Sequence, residues 1–148
     1  MMPAGKYYIG DLCYVMDDAE WLEVCDLIIQ DKFTLQGSRV IDGEFQLKDG
    51  RRFAIYGTAY GDGTYYDHYG HSYSVDSGSI GCIRMEDIKA SDTYSLGDTQ
   101  AILDFGAIQD FDTDVVTGGG RGEPDLEGLI QFGHVVIETN PTEEEEYE

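Results

Sequence analysis

Apolar residues recur with the spacing of a helix in one stretch near the N terminus. Asp17 is followed three residues later by Glu20, which is the D-x-x-E pattern of a helix capping box. The apolar residues after it fall at i, i+3, i+4 and i+7, on one face of a helix: Trp21, Val24, Cys25 and Ile28. The pattern predicts one amphipathic helix over about residues 18–30.

Elsewhere, apolar and polar residues alternate over short runs, which is typical of strands with one buried face. The clearest pair is 44–48 and 51–56, because the Asp49-Gly50 dipeptide between them favours a type I′ hairpin turn. Other predicted strands include residues 6–11, 72–76, 78–83, 99–105, 108–116 and 129–139. Many short strands and one helix predict a mainly β (α+β) fold. We expect an antiparallel sheet, arranged as a sandwich or a partly closed barrel, with the helix on one face or end.

The composition agrees with a β-rich domain of ordinary size. The chain has 148 residues, of which 41% are hydrophobic, and it contains 11 Tyr and 6 Phe but only 3 Pro. Aromatic residues favour strands, and this length suits a single core. We expect one domain over residues 1–140. Residues 141–148 are rich in Glu and bury little apolar area, so they are predicted to form a mobile acidic tail.

The sequence has no sign of targeting or of disulfide chemistry. The first ten residues lack the apolar run of a signal peptide, and nowhere do about 18 apolar residues follow one another. A cytoplasmic location is predicted, which is the host cytoplasm if a phage encodes the chain. Cys13, Cys25 and Cys82 are widely spaced and form no C-x-x-C pair. We therefore expect three buried, unpaired thiols and no zinc site.

Negative charge changes the picture more than any other feature of the composition. The 30 Asp and Glu against 9 Lys and Arg give a net charge of −21. From Glu86 onward there are 17 acids and 2 bases, so the imbalance is greatest in the later half. Such a field repels nucleic acid and anionic membranes and attracts cations and basic protein surfaces. The alternative is that the charge only keeps the protein in solution.

Three aspartates alternate with other residues near the middle of the acidic half. Asp110, Asp112 and Asp114 begin like a calcium loop, but Val115 and Arg121 stand where an EF-hand needs Gly and Glu. In a strand, the same spacing places the three carboxylates on one face, about 6 to 7 Å apart. A regular row of this kind imitates part of a DNA backbone. The acids expected to join it are Asp104, Glu123, Asp125 and Glu127. Another type of calcium loop, or an edge strand charged against aggregation, is the alternative.

Tyrosines are concentrated around the Gly61-Asp62-Gly63 turn. Tyrosine combines a large contact area with a hydroxyl group at low entropic cost, so exposed tyrosines are typical of binding surfaces. The partner contacts predicted from this band are Tyr65, Tyr66 and Tyr69. The alternative is that several of the tyrosines fill the core of a small sheet.

The densest group of potential metal ligands lies in the same segment. It consists of Asp62, Asp67, His68, His71 and Asp76. Carboxylates and imidazoles bind divalent cations and serve in acid–base catalysis. The alternative is a structural role, because Asp and Gly also form the turns that this segment needs.

Two stretches carry a resemblance to known proteins. Residues 60–65 and 73–81 are similar to the signatures G-x-G-D-G-x-Y and V-D-[SA]-G-T, which are typical of a small family of phage and bacterial proteins, the DUF4241-like proteins. Residues 7–15 resemble small phage proteins that read G-D-P-C-Y, although Leu12 stands in place of the Pro. The resemblance covers residues 7–25 and 58–83. It implies a β-rich phage-type or bacterial domain and supplies no catalytic residues.

Together these features predict an acidic, non-enzymatic binding protein of phage type. We expect it to occupy the basic, nucleic-acid-binding surface of a protein partner, as a DNA-mimic-like inhibitor of host defence or host enzymes. No direct binding to nucleic acid or membrane is expected, no catalytic residue is predicted, and the only cofactor considered is a divalent cation. Two alternatives stay open: a metal-dependent enzyme or small-molecule binder built on the Asp/His group, and a virion accessory or decoration protein.

Overall fold

The computed structural model describes residues 2–30, 39–40, 42–58, 62–88, 106–119 and 129–139, and 51% of these lie in strands. Helix α1 covers Asp18–Ile28, and single 3-10 turns cover Leu12–Val15 and Met85–Asp87. The strands are β1 (Gly5–Gly10), β2 (Ile29–Gln30), β3 (Arg39–Val40), β4 (Gly43–Gln46), β5 (Arg52–Gly57), β6 (Gly63–Asp67), β7 (Ser72–Val75), β8 (Ser79–Arg84), β9 (Ala107–Phe111), β10 (Thr117–Gly119), β11 (Leu129–Phe132) and β12 (Val135–Glu138). The predicted strand 99–105 and the predicted tail 141–148 lie outside the described residues.

The strands form two antiparallel five-stranded sheets and one short pair. The first sheet has the order β4-β5-β8-β1-β9, and the second has the order β10-β11-β12-β6-β7. The short pair is β2 with β3. The two large sheets are not closed into a barrel, and they pack face to face as a sandwich. The predicted mainly β fold with one helix is therefore confirmed, and the sandwich is favoured over the barrel.

An apolar core fills the space between the two sheets. Tyr7 and Ile9 of β1 point into it from the first sheet, and alternate residues of β11 and β12 point into it from the second. The fully buried residues that the second sheet contributes are Tyr73, Ile130, Phe132, Val135 and Ile137. Period-2 alternation in these strands gives one buried and one outer face, as expected for a sheet covered on one side.

A second core lies on the opposite face of the first sheet. Tyr8 of β1, Phe53 and Ile55 of β5 and Ile83 of β8 pack there against the helix. The residues of α1 and the preceding turn that cover them are Leu12, Val15, Val24 and Ile28. The first sheet is thus buried on both faces, which explains why β5 and β8 are nearly continuous apolar runs. The described chain has three layers, in the order helix, sheet, sheet.

The helix begins at the predicted capping box and ends two residues earlier than predicted. The backbone N–H of Glu20 donates to Asp17 Oδ1 at 2.7 Å, and that of Asp17 donates to Glu20 Oε1 at 3.1 Å. These reciprocal bonds are those of the capping box. The helix stops at Ile28 because the next two residues pair with β3 as strand β2. None of the helices in the described part of the chain has the length and apolar content that a membrane crossing requires.

Two turns and one strand differ from the predictions. The predicted two-residue turn at Asp49-Gly50 is a three-residue loop, because Leu47 and Arg51 still pair and Gly50, at φ 99°, completes the turn. The predicted single strand 129–139 is a hairpin, because Gly133 adopts φ 58° and separates β11 from β12. The predicted strand 108–116 ends at Phe111 and continues as an irregular segment.

A buried carboxylate joins the two stretches that carried the family resemblance. Asp11 follows β1 and has no exposed surface. Its carboxylate accepts hydrogen bonds from the backbone N–H groups of Cys13, Asp76 and Ser77 at 2.7 to 3.0 Å, and from the Ser77 hydroxyl at 2.8 Å. The end of β1 is thereby fixed to the turn between β7 and β8. Four donors compensate for the cost of burying the charge.

Replacing Asp11 is expected to destabilise the fold strongly. The change Asp11→Asn turns one acceptor oxygen into a donor that faces backbone N–H groups, so at least one of them loses its partner. We expect the free energy of unfolding to fall by about 3 kcal/mol, measured by urea denaturation. The matched control is Asp112→Asn at an exposed position, where a change within about 0.5 kcal/mol is expected. Equal effects of the two variants would show that the Asp11 junction is not a stabilising contact.

Candidate functional site

Asp67, one of the predicted metal ligands, organises the turn between β6 and β7. Its Oδ1 accepts the backbone N–H groups of Tyr69 and His71 at 2.8 and 3.0 Å, and its Oδ2 accepts the Tyr73 hydroxyl at 2.6 Å. Gly70, at φ 83°, completes a three-residue loop of the same kind as the one at residues 48–50. Both carboxylate oxygens are therefore used in holding the turn, as Asp does in many turns.

These bonds also set the ionisation of Asp67. Burial by itself raises the pKa of this carboxyl, but the hydrogen bonds from Tyr73, His71 and Tyr69 favour the ionised form and lower the pKa below its usual value of 3.8. The same pair affects Tyr73, because burial and the bond to Asp67 raise the pKa of its hydroxyl. Asp67 is thus a charged group in the wall of the sandwich at neutral pH.

The other predicted metal ligands are separated by the fold. His71 donates through Nε2 to the carbonyl oxygen of Gly106, and Asp76 accepts the Tyr14 hydroxyl at 2.7 Å near the opposite end of β7. His68 is exposed in the turn, and Asp62 is exposed before β6. Within the described ranges, no three His, Cys, Asp or Glu side chains are grouped as metal ligands. The five predicted ligands therefore do not form one site, because antiparallel strands place them at different ends of a hairpin.

The thiols of two cysteines are held in their protonated form. Burial, and then the neighbouring Asp11, raises the pKa of Cys13 far above its ordinary value. Burial raises the pKa of Cys82 to about 12. Neither residue supplies a thiolate nucleophile at neutral pH. Cys82 is fully buried as predicted, whereas Cys13 and Cys25 are only half-buried.

The predicted partner-binding residues differ in their exposure. Tyr65 is half-buried and packs against the core between the sheets. Tyr66 and Tyr69 are 57% and 68% exposed, as a binding role requires. The aspartates Asp110, Asp112 and Asp114 are exposed. The remaining acids of the predicted row, Asp104, Glu123, Asp125 and Glu127, lie outside the described residues.

The regular row of carboxylates predicted for residues 110–114 is not formed. Strand β9 ends at Phe111, residues 112–114 are irregular, and Val115 then pairs with Met2 shortly before β1. Asp110 also lies opposite Lys6 in the register of β9 with β1. Because period-2 alternation ends at Phe111, the even spacing that imitates DNA phosphates ends there too. The aspartates are instead displayed on a short irregular segment.

That segment meets two hairpin turns at one end of the sandwich. The imidazole of His134 lies 5.3 Å from the ring of Phe111 and 6.1 Å from the ring of Tyr69, measured between ring centroids. The backbone N–H of Gly133 donates to the carbonyl oxygen of Val116 at 2.8 Å. We call this surface the aromatic-acidic end and define it by its exposed residues: Tyr69, Asp112, Asp114, Val116 and His134.

Sequence reasoning identified only part of the aromatic-acidic end. His134 was expected in the middle of a strand, but it occupies the turn between β11 and β12. The available signal was Gly133, since a glycine inside an alternating run often marks a turn. Val116, which is 51% exposed, was expected to continue a strand.

Three arginines, Arg51, Arg52 and Arg84, are paired with acids. Arg51 pairs with Glu20 and, at 2.8 Å, with Asp49. Arg52 pairs with Glu44 at 3.2 Å, and Arg84 pairs with Glu86 at 2.9 Å. Since each of these cations has an acid beside it, the excess of carboxylates determines the sign of the field outside the molecule.

Comparison of the chain with protein-family models, with curated proteins and with solved structures gave no match. The resemblance to the DUF4241-like proteins therefore stays a prediction.

The turn at Asp67 is expected to make stability depend on acid pH. Because the folded chain lowers the pKa of Asp67, its contribution is complete above the usual value of 3.8 and is lost as the pH falls through the lower folded value. We expect Asp67→Asn to lower the free energy of unfolding by about 2 kcal/mol near neutral pH. The difference from the wild-type chain should shrink below about pH 4, measured by urea denaturation over a pH series.

The milder variant Tyr73→Phe keeps the ring and removes one donor to Asp67. We expect it to cost about 1 kcal/mol and to reduce the same pH dependence in part. If the curves of Asp67→Asn and the wild-type chain ran parallel through the acid range, Asp67 would not be the group responsible.

Proposed function

We propose that this chain is a non-enzymatic binding protein that attaches to a basic surface of a protein partner through the aromatic-acidic end. The observation that carries the proposal is the meeting of three separate segments, because the ring of His134 contacts the rings of Tyr69 and Phe111. The exposed Asp112 and Asp114 lie on the segment that directly follows Phe111. Exposed aromatic rings with carboxylates around them supply both contact area and charge for a basic partner.

The backbone that presents this surface is fixed before binding. The Asp67 carboxylate holds the turn that carries Tyr69, and the bond from Gly133 to Val116 holds the other two segments together. A surface that is already ordered loses less conformational entropy when a partner binds. The geometry therefore supports a preformed contact site.

Electrostatics supports the same proposal. The net charge of −21 draws a positively charged partner toward the chain and repels nucleic acid. Because Arg51, Arg52 and Arg84 are each paired with an acid, they do not cancel this field locally. Steering of this type raises the association rate and weakens as salt is added.

The finer proposal is that the partner's basic surface is one that binds nucleic acid, so that the chain acts as an inhibitor. Its support is the net charge of −21 and the negative charge of the exposed aspartates. The even, phosphate-like spacing does not support it, because that spacing is lost beyond Phe111. This finer proposal is tested separately by adding duplex DNA to a captured partner and measuring whether the DNA competes with this chain for it.

Capture of basic proteins is expected to depend on the aromatic-acidic end and on ionic strength. The full chain is immobilised and exposed to bacterial lysate at low salt. A lysate supplies cytoplasmic proteins, and the sequence predicts a cytoplasmic location. Captured proteins are quantified by mass spectrometry while salt is raised. We expect basic proteins to elute as the Debye length falls below about 10 Å. The double variant Asp112→Asn with Asp114→Asn should retain about fivefold less of them.

The matched control removes the same charge elsewhere. Asp18 begins the helix, and Asp62 precedes β6 at the end of its hairpin opposite the turn; both are exposed. The double variant Asp18→Asn with Asp62→Asn should retain wild-type capture. Equal losses in the two double variants, or capture that is indifferent to salt, would overturn the proposal.

A further inference from the structure

We infer that the aromatic-acidic end selects arginine: a guanidinium group of the partner lies against the ring of Tyr69 and pairs with the carboxylate of Asp112 or Asp114. This inference rests on the proposed function and names the partner side chain that the same surface recognises.

The ring of Tyr69 has surface available for a planar cation. It is 68% exposed, although it lies in an ordered turn. Its contact with His134 is edge-to-face, with ring planes at 75°. An edge-to-face contact uses a small part of an aromatic ring and leaves most of its area to other partners. Guanidinium groups stack on such rings and are attracted by their negative face.

The imidazole of His134 supports the ring of Tyr69 from the side that faces the core. The imidazole lies between Tyr69 and Phe111, and the ring of Phe111 is itself buried at the end of the core between the sheets. Tyr69 is thus supported by a row of rings that begins in the core. The turn below it is held by Asp67, so both the backbone and the ring of Tyr69 have a defined position.

Two carboxylates lie on the segment that continues from this row of rings. Asp112 directly follows Phe111, and Asp114 lies two residues further along the same segment, which the bond from Gly133 to Val116 ties to the turn of His134. Both side chains are exposed. A carboxylate accepts two parallel hydrogen bonds from one guanidinium group, whereas the ammonium group of lysine offers only a point charge. A surface that offers both an exposed ring and exposed carboxylates therefore favours arginine over lysine.

The test uses two synthetic peptides of equal length and charge, one built on arginine and the other on lysine, with blocked ends. Their affinities for the full chain are measured by fluorescence anisotropy at low salt. We expect the arginine peptide to bind about threefold to fivefold more tightly. Tyr69→Ala should bring this ratio to about one and leave the affinity for the lysine peptide nearly unchanged. Tyr69→Phe keeps the ring and should keep the ratio.

The charge variants separate this inference from the proposed function. Asp112→Asn with Asp114→Asn should weaken both peptides, and Asp18→Asn with Asp62→Asn should weaken neither, with the fold of each variant checked by urea denaturation. Equal affinities of the two peptides for the wild-type chain overturn the selection of arginine and leave binding to basic surfaces standing. If a peptide binds tightly and the double variant Asp112→Asn with Asp114→Asn does not weaken that binding, both the arginine inference and the proposed function are overturned. If neither peptide binds, the arginine inference fails, and lysate capture decides the proposed function alone.

Discussion

Both faces of the first sheet are buried, and this burial limits which side chains its strands can carry. Strands β1, β5 and β8 contact the second sheet on one side and the helix on the other, so nearly every position in them is apolar or small. Gly81 shows how closely the turn Leu12–Val15 covers this sheet, because a Cβ atom there would lie 2.9 Å from the Leu12 side chain. Polar chemistry is therefore confined to the ends of the strands and to the outer surfaces.

Two aspartates show how the fold uses charge at those strand ends. Asp11 and Asp67 each accept several hydrogen bonds from backbone N–H and hydroxyl groups, and each fixes one turn relative to the strands. Both oxygens of each carboxylate accept hydrogen bonds, so each of these aspartates is a structural acceptor at a turn. Exposed residues at the strand ends carry the proposed binding.

The proposed binding surface is a consequence of strand order. Residues Tyr69, Phe111 and His134 come from three separate parts of the chain, and the ring of His134 contacts the other two at one end of the sandwich. The pairing of Arg51, Arg52 and Arg84 with acids leaves the surplus of carboxylates to set the potential around that end. An ordered aromatic surface within a negative field combines the two properties that a partner with a basic surface requires.

Features that depend on near neighbours along the chain can be predicted from the residues alone. The capping box at Asp17 and Glu20, the helix and the hairpin around Gly50 follow from spacing and turn chemistry, and the many short alternating runs indicate the fold class. The strand order, the separation of the predicted metal ligands and the meeting of Tyr69 with His134 come from the packing of distant segments. Periodicity reports which face of an element is buried, but it carries no information on which element covers that face. Contacts between distant segments depend on how two sheets and a helix share one core, and that is settled only when all of them pack together.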